Sequence, residues 1–119
     1  MPLHGQAQRL TIYIGSSDTW HGRNLALAIV ERCRSEGIAG ATVSRGLMGF
    51  GKQSRVHKAH LLGLSDDLPE RIEIIDSPSR IAQLLPVLEA MVDGGLILLQ
   101  DVRVLRYEPH TGSGQGPAQ

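Results

Sequence analysis

Residues 71–78 read Arg-Ile-Glu-Ile-Ile-Asp-Ser-Pro (RIEIIDSP), and the succession of types in this stretch decides how the chain is built. Ile72 and Ile74 share one face of an extended segment, the period of a strand with one side in a core. Ser77 before Pro78 then opens a helix, a capping hydroxyl followed by a proline at the first helical position. Downstream, Ile81, Leu84, Leu85, Leu88, Met91 and Val92 form one helical stripe, closed by Gly94 and Gly95. Pro86 falls inside that stripe and predicts a kink, costing about 3 kcal/mol if nothing compensates. Leu96 to Tyr107 reads as a long final strand.

Upstream, Leu10, Ile12 and Ile14 alternate with Thr11 and Tyr13, a first strand that Gly15 and Ser16 end. Between His21 and Gly37, the residues Leu25, Ala28, Ile29 and Cys33 recur at three- and four-residue steps, and Gly37 supplies a left-handed cap. Ala41 to Arg45 is a second strand. The order strand, helix, strand, intervening segment, strand, helix, strand predicts an α+β, ferredoxin-like fold, with two helices on one face of a four-stranded antiparallel sheet. The opposite face must be polar or covered. Leu96 to Leu99 is apolar at consecutive positions, so both faces of the last strand are expected to be buried, with oligomerisation through the open face.

The chain has 119 residues, enough for one domain that buries about two-thirds of its unfolded surface. The expected organisation is a flexible N-terminus over 1–8, a folded domain over 9–108 and a disordered tail over 109–119, built of Gly, Pro, Ser, Gln and Thr. Twelve basic residues balance twelve acidic ones, which argues against a nucleic-acid partner and against an anionic membrane surface. A lone Cys33 excludes an internal disulfide and, inside an apolar helical pattern, reads as a packing thiol. MPLHGQAQRL has no apolar leader, and no run reaches membrane-spanning length, so a cytoplasmic protein without membrane insertion is expected.

The segment after the second strand, GLMGFGKQSR at 46–55, holds Gly46, Gly49 and Gly51 beside several donors. Its spacing is neither the dinucleotide fingerprint nor the P-loop, both of which need a helix directly after the glycines. It fits a turn or bulge, or a phosphate contact made by backbone amides. Ser16 to Arg23 (SSDTWHGR) fits a capped helix start, yet Trp20, His21 and Arg23 are also candidates for ligand or subunit contact, through stacking and through a cation near a helix N-terminus. His57 and His60 stand three apart, so a helical turn would put them on one face, as half a metal site or as part of a solvated loop helix. Asp66 and Asp67 read as turn formers. Nothing marks a nucleophile elbow, a zinc signature or a committed carboxylate pair, so no catalytic residue is assigned.

GIAGATV at 37–43, GFGKQ at 49–53 and LPERIEI at 68–74 together resemble the PII signalling proteins, in the same order and at nearly the same spacing. LTIYIG, HGRNL, GIAGATVSRG, GFG, SDDLP and DVRVLRY resemble more closely the PII-like family known as domain of unknown function 190. The resemblance implies a homotrimer that binds an adenine nucleotide in clefts between subunits. It also implies that residues 50–68 form a loop contacting a target protein, a membrane transporter or an enzyme. By the same resemblance Thr42 approaches the base, and Glu73 and Ile75 line its pocket. Gly46, Gly49, Phe50, Gly51 and Gln53 lie along the phosphates, and Arg106 matches one of two C-terminal arginines. The glycine- and lysine-rich phosphate loop of PII proteins is missing, because Asp93-Gly94-Gly95 turns directly into Leu96. Fewer preorganised donors favour AMP, ADP or a cyclic nucleotide over ATP, and no essential metal is expected. The alternatives are a metal-binding trimer resembling the CutA proteins, with His57 and His60 as ligands, and a ligand-free scaffold subunit.

Overall fold

The computed structural model describes residues 3–50, 57–58 and 67–109. In chain order the elements are β1 (Gly5–Gly15), β2 (Thr19–Trp20), β3 (Arg23–Asn24), α1 (Leu25–Ser35), β4 (Gly40–Arg45), β5 (Met48–Gly49), β6 (His57–Lys58), β7 (Pro69–Asp76), α2 (Pro78–Met91) and β8 (Leu96–Val104). The four long strands form one antiparallel sheet in the order β4-β7-β1-β8, with both helices on the same face. This is the ferredoxin-like arrangement that the sequence predicts.

The two predicted periods produce the core directly. Leu10, Ile12 and Ile14 of β1 and Ile72 and Ile74 of β7 meet Leu25, Ala28, Ile29 and Cys33 of α1 and Ile81, Leu84, Leu88 and Met91 of α2. Each large apolar side chain removed from water here contributes about 1.5–3 kcal/mol, which is what holds the helices to the sheet. Cys33 is part of this layer, and burial, with the charge of Glu36 adding to it, pushes its thiol up to about 11. A thiol so hard to ionise packs well and attacks poorly.

Several boundaries differ from the sequence reading. The strand β1 starts at Gly5, so residues 5–8 are not a flexible terminus: Gly5 pairs with Val104 and Gln8 with Asp101. Gln6 and Gln8 carry no apolar alternation, and the ladder with β8 holds them instead, helped by a Gln8 Nε2–Asp101 Oδ1 hydrogen bond of 3.1 Å. The last strand ends at Val104 rather than Tyr107, since β1 offers no partner beyond Gly5. Leu96, Leu98 and Leu99 are 50, 42 and 48% exposed, so the last strand is not buried within one chain.

The helix α1 begins later than its apolar pattern allows. Residues 19–24 form a two-stranded hairpin whose turn residues, His21 and Gly22, both have positive φ, 51° and 77°. Asn24, not one of the preceding Ser, Asp or Thr residues, caps the helix by accepting from Leu27 N at 2.9 Å. At α2 the predicted cap is present, with Ser77 Oγ accepting from Arg80 N.

Candidate functional site

The candidate residues gather toward the two ends of the sheet, and β7 runs from one end to the other. Residues 70, 72, 74 and 76 share its helix-facing side, so Glu70 and Asp76 bracket the two buried isoleucines. Both carboxylates are buried, Glu70 at 4% and Asp76 at 5% exposure.

At the first end the chain leaves the sheet after β4 and returns into β7. Gly46 N donates to Pro69 O at 2.7 Å, closing the two strands at the root of the intervening segment. Arg45 donates to Glu70 Oε2 twice, from Nε at 3.1 Å and from Nη2 at 2.7 Å. Among the described residues none donates a hydrogen bond to the buried Glu70 Oε1. The returning chain is sewn to the turn after β1. Ser16 N donates to Leu68 O at 2.7 Å, Leu68 N to Ser16 Oγ at 2.9 Å, and Ser17 N to Asp67 Oδ1 at 2.8 Å. Asp67 is therefore more than a turn former, and the side chain that any other residue would carry at position 15 would collide with its carboxylate.

The glycines at this root have a steric reason. A Cβ on Gly46 would stand 2.9 Å from Pro69 Cγ, and one on Gly49 3.2 Å from the same atom. Neither needs a positive φ, and close approach to the proline ring is what requires them. Leu47, Met48 and Phe50 beside them are 79, 62 and 68% exposed. Gly51 and Gln53 lie outside the described residues.

On the open face, away from the helices, Thr42 of β4 pairs with Glu73 of β7, and Gly40 pairs with Ile75. The structure thus brings together Thr42, Glu73 and Ile75, three of the predicted base contacts. Thr42 is exposed on an edge strand, while Glu73 and Ile75 are half-buried. Arg106 is exposed, and the hydroxyl of its neighbour Tyr107 donates to Ala39 O, one residue before β4. Gly46 and Gly49 lie toward the other end, since Thr42 to Gly46 is about 13 Å of extended chain.

The remaining candidates are engaged within the chain. Trp20 packs against the core and stacks on His21, with ring centroids 4.1 Å apart. Arg23 pairs with Glu31. His57 lies in the strand β6, opposite Gly49 of β5, rather than in a helical turn, because pairing with β5 satisfies its backbone. His60 lies outside the described residues. Among the described residues no group of three or more His, Cys, Asp or Glu is placed to hold a metal ion.

The sequence pattern of the DUF190 family, described as uncharacterized ACR, matches residues 7–104. The chain belongs to the DUF190 family. Its curated relatives include a UPF0166 protein of Aquifex aeolicus, 33% identical over 96 residues and covering 81% of this chain and 90% of its own. A UPF0166 protein of Methanocaldococcus jannaschii is 34% identical over 106 residues, covering 88% of this chain and 97% of the relative. Among solved structures, this DUF190 chain resembles CPII, a nitrogen regulatory PII-like protein from Thiomonas intermedia bound to ADP, AMP and bicarbonate. The TM-score is 0.57 at 20% identity, over 85% of this chain and 90% of that one. The Bacillus subtilis GlnK–ATP complex gives 0.51 at 16% identity, over 84% of each chain. The fold of this DUF190 protein is therefore PII-like. No helix among the described residues is long and apolar enough to cross a membrane.

Proposed function

We propose that this DUF190 protein is a PII-like regulator that binds AMP or ADP between copies of itself and signals through the segment between β4 and β7 in the cytoplasm. The observation that carries this reading is the division of the candidate residues. Thr42, Glu73 and Ile75 form an open patch on the exposed sheet face of one chain, while the loop-root glycines sit at the other end of β4. Ligand sites bury most of their ligand, so an open half needs a second wall, and a second copy supplies it. Tyr13, Leu96 and Leu98, 38, 50 and 42% exposed on that same open face, favour such association into a trimer. CPII, which shares the fold, is bound to ADP and AMP.

The preference for one or two phosphates rests on the connection between α2 and β8. Only residues 92–95 link them, and Gly94 and Gly95 turn at φ 91° and 102°, which leaves no loop there to wrap a triphosphate. Signalling then requires that the nucleotide favour one arrangement of the segment between β4 and β7, because equal affinity for both would shift nothing.

A thermal-shift series with AMP, ADP, ATP and cyclic nucleotides, followed by calorimetry on the hits, tests the reading. AMP or ADP should raise the midpoint at concentrations where ATP does so less. No shift from any adenine nucleotide at millimolar concentration refutes it. Sizing in solution checks the trimer separately.

A further inference from the structure

The chain does not stop being structural where β8 ends. Leu105 to Tyr107 crosses from the β8 edge of the sheet to the β4 edge, because the Tyr107 hydroxyl donates to the carbonyl of Ala39, just before β4. Three strand spacings make that crossing about 14 Å. The acceptor at its far end is firmly held. Ala39 N donates to Asp76 Oδ2 at 2.9 Å, and Ser77 N donates to Asp76 Oδ1 at 2.6 Å. Arg80 Nε stands 3.3 Å from Asp76 Oδ2, and Arg80 Nη2 donates to Glu36 O at 2.7 Å and Gly37 O at 2.8 Å. One buried carboxylate thus ties the start of β4, the end of β7 and, through Arg80, the end of α1 into one corner.

Resting on the reading above, we infer that Tyr107 is a positioning residue of the nucleotide site. Its hydroxyl anchors the crossing strap to that corner, one residue from Arg106, so that the guanidinium extends from a fixed backbone on the Ala39 side of the site. Arg106 is exposed, and a long cation on an untethered chain end would lose much of its attraction for a phosphate to ordering entropy. The tether settles part of that ordering in advance. The recognised chemistry is the anionic end of a nucleoside mono- or diphosphate, met by a guanidinium whose backbone is pinned one residue away.

Tyr107→Phe removes the hydroxyl and keeps the ring. By calorimetry with ADP it should weaken binding about 3- to 10-fold, the size of one neutral hydrogen bond, while oligomer size and melting midpoint stay near wild type. Arg106→Ala should weaken binding more, and adding Tyr107→Phe to it should change nothing further, because the hydroxyl acts through the arginine. Backbone amide order parameters at 105–107 should fall in nucleotide-free Tyr107→Phe. Wild-type affinity in Tyr107→Phe, or additive losses in the double variant, would overturn the role. A wild type that binds no adenine nucleotide overturns the proposed function and this role with it, whereas unchanged order parameters in Tyr107→Phe refute the tether alone.

Discussion

Asp76 and Glu70 occupy the two ends of the same strand, face the same side and are buried to the same degree, yet only one of them is fully answered. Both oxygens of Asp76 accept backbone amides, and Arg80 stands against one of them. Glu70 spends one oxygen on Arg45, and the other is buried and finds no donor among the described residues. A buried carboxylate that is satisfied on every side cements its surroundings, whereas a half-satisfied one contributes little net stability and is tolerated where stability is not the purpose. The corner at Asp76 is a fixed mount. The corner at Glu70 is the root of the segment that the proposed function sets in motion.

The sharpest way to break this contrast is to remove each carboxylate. Asp76→Ala strands two amides and frees Arg80, and should lower stability by about 2–4 kcal/mol in urea unfolding. Next in size, Gly46→Ala forces a methyl against the Pro69 ring. It should cost about 1–2 kcal/mol, with much of the loss recovered in Gly46→Ala/Pro69→Ala because the two atoms that clash belong to that pair. Least of all, Glu70→Val should shift stability by under about 1 kcal/mol in either direction. It removes an unsatisfied oxygen and adds apolar burial, while Arg45, whose side chain is 53% exposed, is solvated without its partner. If Glu70→Val proved as damaging as Asp76→Ala, the two ends would be equally structural and the contrast would fail.

Much of the fold was legible because its core obeys simple periods. Ile72 with Ile74, the 10-12-14 alternation and the two helical stripes are buried, apart from Leu85 and Val92, which are half-buried at the edge of the second stripe. What escaped was held by groups without a period. Gln6 and Gln8 are in a strand because β8 is long enough to pair with them. His21 and Gly22 make a hairpin turn that an Asn-Gly pair would have announced and His-Gly does not. Glu70 and Asp76 were within reach, since extending the step of two from Ile72 and Ile74 lands on both. They were passed over because a charge in a strand is ordinarily taken to face water. Of the candidate site, Thr42, Glu73 and Ile75 share one patch, but the Tyr107–Ala39 contact is not legible in a sequence that reads as strand through Tyr107.

The pairing of Gly5 with Val104 has a practical side. The strand β1 thus begins and β8 ends on the same rung, so a group fused ahead of Gly5 joins the sheet at the end where β4 begins. The strand β1 then separates it from the loop root by its whole length of eleven residues, about 33 Å. Under the proposed function, a tag ahead of β1 therefore lies on the side of the proposed nucleotide corner and away from the loop root. A fluorophore placed there would report on nucleotide occupancy, while a pull-down through the same handle would leave the loop root free.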